Sequence, residues 1–165
     1  MLVPSGRSAA QSTMEGCRQV TPKRQRDRQH EGACHCGALG FVYRTALERR
    51  DWPIRACQCA FCRAHAGLTT SDPHGSLRFV EREPRTLSRY RFAKKITDFL
   101  ICRACGAYIG ATMQSAERSF GIINVRMLPS MLEHLKRPQA MEYGSETTAD
   151  RVGRREQRWT PIAVA

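Results

Sequence analysis

The chain has 165 residues, of which 41% are hydrophobic and 25% charged, with a formal charge of +12 and eight cysteines. That length suits one domain with its own core, so eight cysteines are more than packing requires. No run approaches the roughly 18 consecutive apolar residues of a membrane span, and the opening MLVPSGRSAAQSTMEG lacks the continuous apolar segment of a secretory signal. We therefore expect a cytoplasmic protein with no membrane partner, whose cysteines are thiols or thiolates rather than disulfides.

The positive charge is centred on the cysteine-bearing body. Residues 34–132 hold fifteen Lys/Arg against seven acids, whereas residues 133–165 hold six against five. Such a balance suits an anionic ligand near the cysteines as well as it suits nucleic acid, and it also fits a plain solvated surface.

In chain order, residues 1–28 mix Gly, Pro, Ser, Gln and charges, ending in the basic run KRQRDR. They read as a disordered basic extension, with Cys17 a bystander and Met14 a second possible start. The domain is expected over 29–165, with a core over about 30–145. Short segments rich in β-branched and aromatic residues follow at 38–44, 53–57, 76–81, 86–92, 96–102, 107–113 and 119–125. Turn residues such as DPHGS and REPRT separate them. The arc after Cys59 is read as a turn, and 129–135 as a short helix. At the C-terminal end, Trp159 and Ile162 are expected against a sheet, with the neighbouring arginines as the outer face of that packing. The fold class is mainly β, with antiparallel sheets clamped by metal and short helical turns.

Seven cysteines fall in three clusters. Cys34-His35-Cys36-Gly37 and Cys102-Arg103-Ala104-Cys105-Gly106 each aim two sulfurs to one side, since residues i and i+2 of a strand share a face and Cys-x-x-Cys suits a turn. A glycine directly after the second cysteine can take positive φ, which lets backbone N–H groups approach the sulfurs. Together these clusters offer four thiolates to one closed, structural zinc. Cys57-Gln58-Cys59-Ala60-Phe61-Cys62 offers three sulfurs within six residues. Three protein ligands leave a fourth position for substrate. His65, or less directly His74, could instead fill that position and make the site structural. In an open site, a soft thiol would enter as its thiolate, ready to attack an electrophilic carbon. Arg55, Arg63 and Arg103 lie beside the clusters in sequence and could hold carboxylates of an acidic thiol. Asp98 and His65 are the candidates for a general base.

The ordered series GACHCGAL, ACQCAFCRAHAG and ICRACGAYIG resembles the glutathione-dependent formaldehyde-activating enzyme (GFA) family, which also includes centromere-protein-V-like proteins. The resemblance extends over about residues 30–145. It implies a β-rich, Mss4-like zinc fold with two zinc ions. Cys34, Cys36, Cys102 and Cys105 would hold the structural zinc, and Cys57, Cys59 and Cys62 the catalytic one. The implied activity is that of a carbon–sulfur lyase, adding formaldehyde to glutathione to give S-(hydroxymethyl)glutathione. Two other readings stand beside it. One is a zinc-stabilised binding module for nucleic acid or an acidic partner, against which the sequence shows few aromatics and no interleaving of them with basic residues. The other is a redox or metal-buffering role for the second cluster.

Overall fold

The computed structural model describes residues 27–116, 118–129 and 134–163. Eleven strands and two helices follow in the order β1 (Arg28–Ala33), β2 (Leu39–Thr45), β3 (Arg55–Cys57), α1 (Ala60–Ala64), β4 (Thr69–Thr70), β5 (Ser76–Glu81), β6 (Leu87–Tyr90), β7 (Asp98–Cys102), β8 (Tyr108–Ser115), β9 (Arg118–Asn124), β10 (Gln139–Met141), α2 (Thr148–Arg158) and β11 (Thr160–Pro161). The fold is mainly β. All seven segments expected from sequence contain a strand, and α1 occupies the arc after Cys59. Residues 130–133 of the expected helix, and Cys17, lie outside the described residues.

Two sheets carry the strands. The smaller runs β1-β2-β5; the larger runs β10-β3-β4-β9-β8-β7-β6, with β11 added to β9. The named pairs are antiparallel except β10 with β3. β1 begins at Arg28, opposite Thr45, slightly upstream of the expected start of the domain.

The central strand β9 explains how the layers join. It is buried along most of its length, and alternate residues face opposite sides. Ile123 joins Phe41, Tyr43, Trp52 and Leu77 in a core shared with the smaller sheet. Phe120 and Ile122 instead meet Ala111, Met113 and Trp159. Trp159 therefore packs on the larger sheet as expected, and Ile162 bridges to Leu77. A third cluster surrounds the first cysteine site with Leu39, Leu100 and Ile109.

Helix α2 was not foreseen. Its start is a capping box: the Thr147 hydroxyl accepts from the Asp150 N–H at 3.1 Å, and the Asp150 carboxylate accepts from the Thr147 N–H at 3.1 Å. Among the described residues, no helix is long and apolar enough to cross a membrane.

Candidate metal centres and the pocket beside one of them

The β1–β2 turn and the β7–β8 turn bring Cys34, Cys36, Cys102 and Cys105 together, with all four sulfurs within 4.8 Å of one another. Cys36 Sγ lies 3.6 Å from both Cys34 Sγ and Cys102 Sγ. Four sulfurs about 2.3 Å from one tetrahedral ion would be roughly 3.8 Å apart, so the spacing fits a metal. The two turns are built alike. Gly37 and Gly106 have φ of 82° and 75°, and their N–H groups bond Cys34 O at 2.9 Å and Cys102 O at 2.8 Å. The Leu39 N–H points at Cys34 Sγ at 3.3 Å. The positive φ expected of both glycines is present.

Cys57, Cys59 and Cys62 form the second group, again with sulfurs within 4.8 Å of one another. Cys57 ends β3, Cys59 caps α1, and Cys62 lies on the helix; the Cys62 N–H points at Cys59 Sγ at 3.4 Å. The Gln58 N–H bonds Met141 O at 2.9 Å, so β10 braces the arc.

The thiols' proton affinities support the same fit. The hydrogen bond from Cys62 outweighs burial and lowers the Cys57 pKa to about 6. The same contact, with burial behind it, pushes Cys62 well up. One thiol of the cluster ionises readily and its neighbour resists, because thiolates this close repel one another. A divalent cation removes that conflict and lets all the sulfurs ionise together. Both groups can hold a metal ion.

Neither histidine joins the second group. The His65 ring lies 4.3 Å from the Phe61 ring, centroid to centroid, and exposed His74 donates its N–H to Asp72 Oδ1 at 2.9 Å. Asp98 is held by Arg89 at 3.4 Å and by Arg91, whose hydrogen bond keeps the carboxyl pKa below its ordinary value. It is an ion-pair partner, and is not among the residues lining the pocket described next.

A pocket of about 650 Å³ lies against the sulfurs of the second group. Arg55 lines it, as the sequence suggested; Arg63 and Arg103 are exposed and do not. Arg103 belongs to the four-cysteine end. Lys94 and Lys95, in the segment between β6 and β7, also line the pocket, and α2 adds Arg151, Arg154 and Arg155 at the i, i+3, i+4 spacing of one helix face. These arginines face inward, contrary to the expectation of an outer face. Glu146 engages two of them, accepting from Arg151 Nε at 3.3 Å and Arg154 Nη2 at 2.9 Å. Arg55 donates to Ser71 Oγ at 2.9 Å, and burial lowers its pKa. Arg155 is 8% exposed; burial first, then Arg154 and Arg151, pulls its pKa down to about 10. Phe92 and Phe99 supply an apolar wall, with ring centroids 4.6 Å apart. Tyr108, at the start of β8, completes the wall at the cysteines; burial first, and then the nearby cysteine sulfurs, raise its pKa.

No family model matches the chain. A crystal structure of a Rhodobacter sphaeroides protein is similar to it with a TM-score of 0.48 and 25% identity, covering 67% of this chain and 99% of that one.

Proposed function

We propose that the protein is a zinc-dependent carbon–sulfur lyase that joins an aldehyde to a small acidic thiol, with glutathione and formaldehyde as the pair to test first. The observation that supports this is the three-cysteine group opening onto a pocket lined by cations. What a zinc ion held by Cys57, Cys59 and Cys62 supplies is a fourth position that takes a thiol in its thiolate form. A second ion, held by Cys34, Cys36, Cys102 and Cys105, fits a structural role. Arg55 and the arginines of α2 hold the thiol's carboxylates, while Phe92 and Phe99 keep water from that side of the pocket. In the reaction the sulfur bonds to the carbonyl carbon, and the carbonyl electron pair moves to oxygen. That oxygen takes a proton in place of the one the thiol gave up.

Exchange NMR between glutathione plus formaldehyde and their adduct tests this reading, with the spontaneous reaction as the blank. Wild-type protein is expected to accelerate exchange, and a folded Cys59→Ser variant to lose the acceleration. No acceleration over the blank would remove this substrate pair.

A second reading also has an observation behind it. The stretch Arg89-Tyr90-Arg91-Phe92-Ala93-Lys94-Lys95 does interleave aromatics with basic residues, contrary to the sequence-based statement above, and Tyr90 is 47% exposed. Its ring stacks 5.6 Å from that of Phe92. A stacking surface for single-stranded nucleic acid has these parts, although Asp98 already neutralises part of Arg89 and Arg91. Tight single-strand binding at 0.15 M salt that is lost in Tyr90→Ala would favour this reading.

A further inference from the structure

Two hydrogen-bond donors on residues of the pocket wall have no partner among the described residues. The Tyr108 hydroxyl is buried and unbonded, on a residue only 2% exposed. Arg155 Nε is likewise buried and unbonded, while Nη1 of the same group donates to Thr97 Oγ1 and lies 3.9 Å from Met113 Sδ. Its guanidinium carbon sits 4.6 Å from the centre of the Trp159 ring. Among the described residues, no carboxylate pairs with this buried cation. Glu146, the acid that acts on it, has both oxygens engaged by Arg151 and Arg154. Glu142, the acid among the lining residues, is exposed. A buried cation without a counter-charge and a buried hydroxyl without an acceptor are each costly, and both lie in one cavity next to three sulfurs.

We propose that Tyr108 and Arg155 form a carboxylate-binding subsite at the three-cysteine end of the pocket. A carboxylate there gives the guanidinium its counter-charge and the hydroxyl its acceptor, and its planar pair of oxygens suits both donors. The subsite uses the same pocket as the lyase reading but does not depend on turnover. Two occupants could supply the group: the thiol, through one of its own carboxylates, or the carbonyl compound, which would then be an oxo acid rather than formaldehyde.

Isothermal titration of the full chain with its metal as purified separates these sources without reading catalysis. S-methylglutathione, whose sulfur is blocked, is compared with its dimethyl ester, and glycolate with glycolamide. At least one acid is expected to bind where its neutral counterpart does not. Tyr108→Phe should weaken that binding by roughly ten-fold, the low end for a hydrogen bond to a charged group. Arg155→Lys, which keeps the charge but loses the fork, should weaken it as well. Glycolate binding assigns the carboxylate to the carbonyl compound; binding by S-methylglutathione alone assigns it to the thiol. The proposal is overturned if neither acid outbinds its neutral partner, or if Tyr108→Phe binds the acids as wild type does. The titration reads binding of sulfur-blocked and sulfur-free acids while exchange NMR reads turnover, so loss of the lyase reading and loss of this one can be told apart.

Discussion

The two cysteine groups use the same ligand atom at similar spacing, yet they sit in opposite surroundings. Cys34, Cys36, Cys102 and Cys105 join two turns from different sheets with matching glycines behind them; Cys34, Cys102 and Cys105 pack among Leu39, Leu100 and Ile109, while Cys36 is exposed. Cys57, Cys59 and Cys62 come from one short arc, and their remaining side is a pocket lined by arginines. Ligand spacing alone separates four sulfurs from three. The neighbours separate a group that ties distant parts of the chain from one that lines a cavity. Closure over a long stretch of chain predicts that losing the first group costs more stability than losing the second.

That contrast can be broken by mutation. Cys102 is 0% exposed and belongs to the first group. Cys102→Ser should cost of the order of 5 kcal/mol or leave the chain unfolded, given how much structural metal binding contributes to folding. Cys57→Ser should keep a cooperative melt by circular dichroism. Equal losses for both variants would erase the distinction. Next in size are the glycines behind the first group. A Cβ on Gly37 or Gly106 meets nothing within 4 Å, so space is not the obstacle. Gly106→Ala should still cost about 1–2 kcal/mol in denaturant unfolding, because positive φ penalises any side chain. A neutral result would show that the turn relaxes.

On the pocket side the sign reverses. Tyr108→Phe removes a buried hydroxyl that has no partner, so the ligand-free protein should gain about 1 kcal/mol while carboxylate binding weakens. A destabilised variant would mean that the hydroxyl is satisfied within the protein. The α2 wall gives a smaller, pH-dependent effect. The hydrogen bond from Arg154 outweighs burial and holds Glu146 below its ordinary value of 4.5. A carboxylate with a depressed folded pKa adds stability that is full above the unfolded value and is lost as pH falls through the folded one. Thermal unfolding of wild type minus Glu146→Gln should therefore be flat above about pH 5 and shrink below pH 4.5. Smallest of all is Asp98→Asn. Its partners Arg89 and Arg91 are exposed, so stability should change by less than about 1 kcal/mol. A large loss of lyase activity in that variant would restore Asp98 as a base.

Much of the fold could be read from residues. The strands around Phe41, Leu100, Ile109 and Ile123 carry their β-branched and aromatic side chains in short runs bounded by turns, and the glycines after Cys36 and Cys105 announce their own backbone. α2 escaped because its inward side is made of arginines rather than an apolar stripe. Only the Thr147-x-x-Asp150 cap and the spacing of Arg151, Arg154 and Arg155 mark it. β4 and β11 are two residues each and carry no periodicity at all. The seven cysteines of the two sites were legible by spacing, and Arg55 by its nearness to Cys57. Tyr108 was not, since a tyrosine opening a strand looks like core until the fold shows its hydroxyl unbonded beside three sulfurs.

The two cysteine groups together could hold two metal ions per chain, one between the paired turns and one beside the pocket. Native mass spectrometry of protein purified without chelator tests it directly. Two zinc ions are expected on the wild type and one on a Cys57→Ser, Cys59→Ser variant that still folds. A wild-type chain that carries no zinc, or a double variant that keeps both ions, would contradict it.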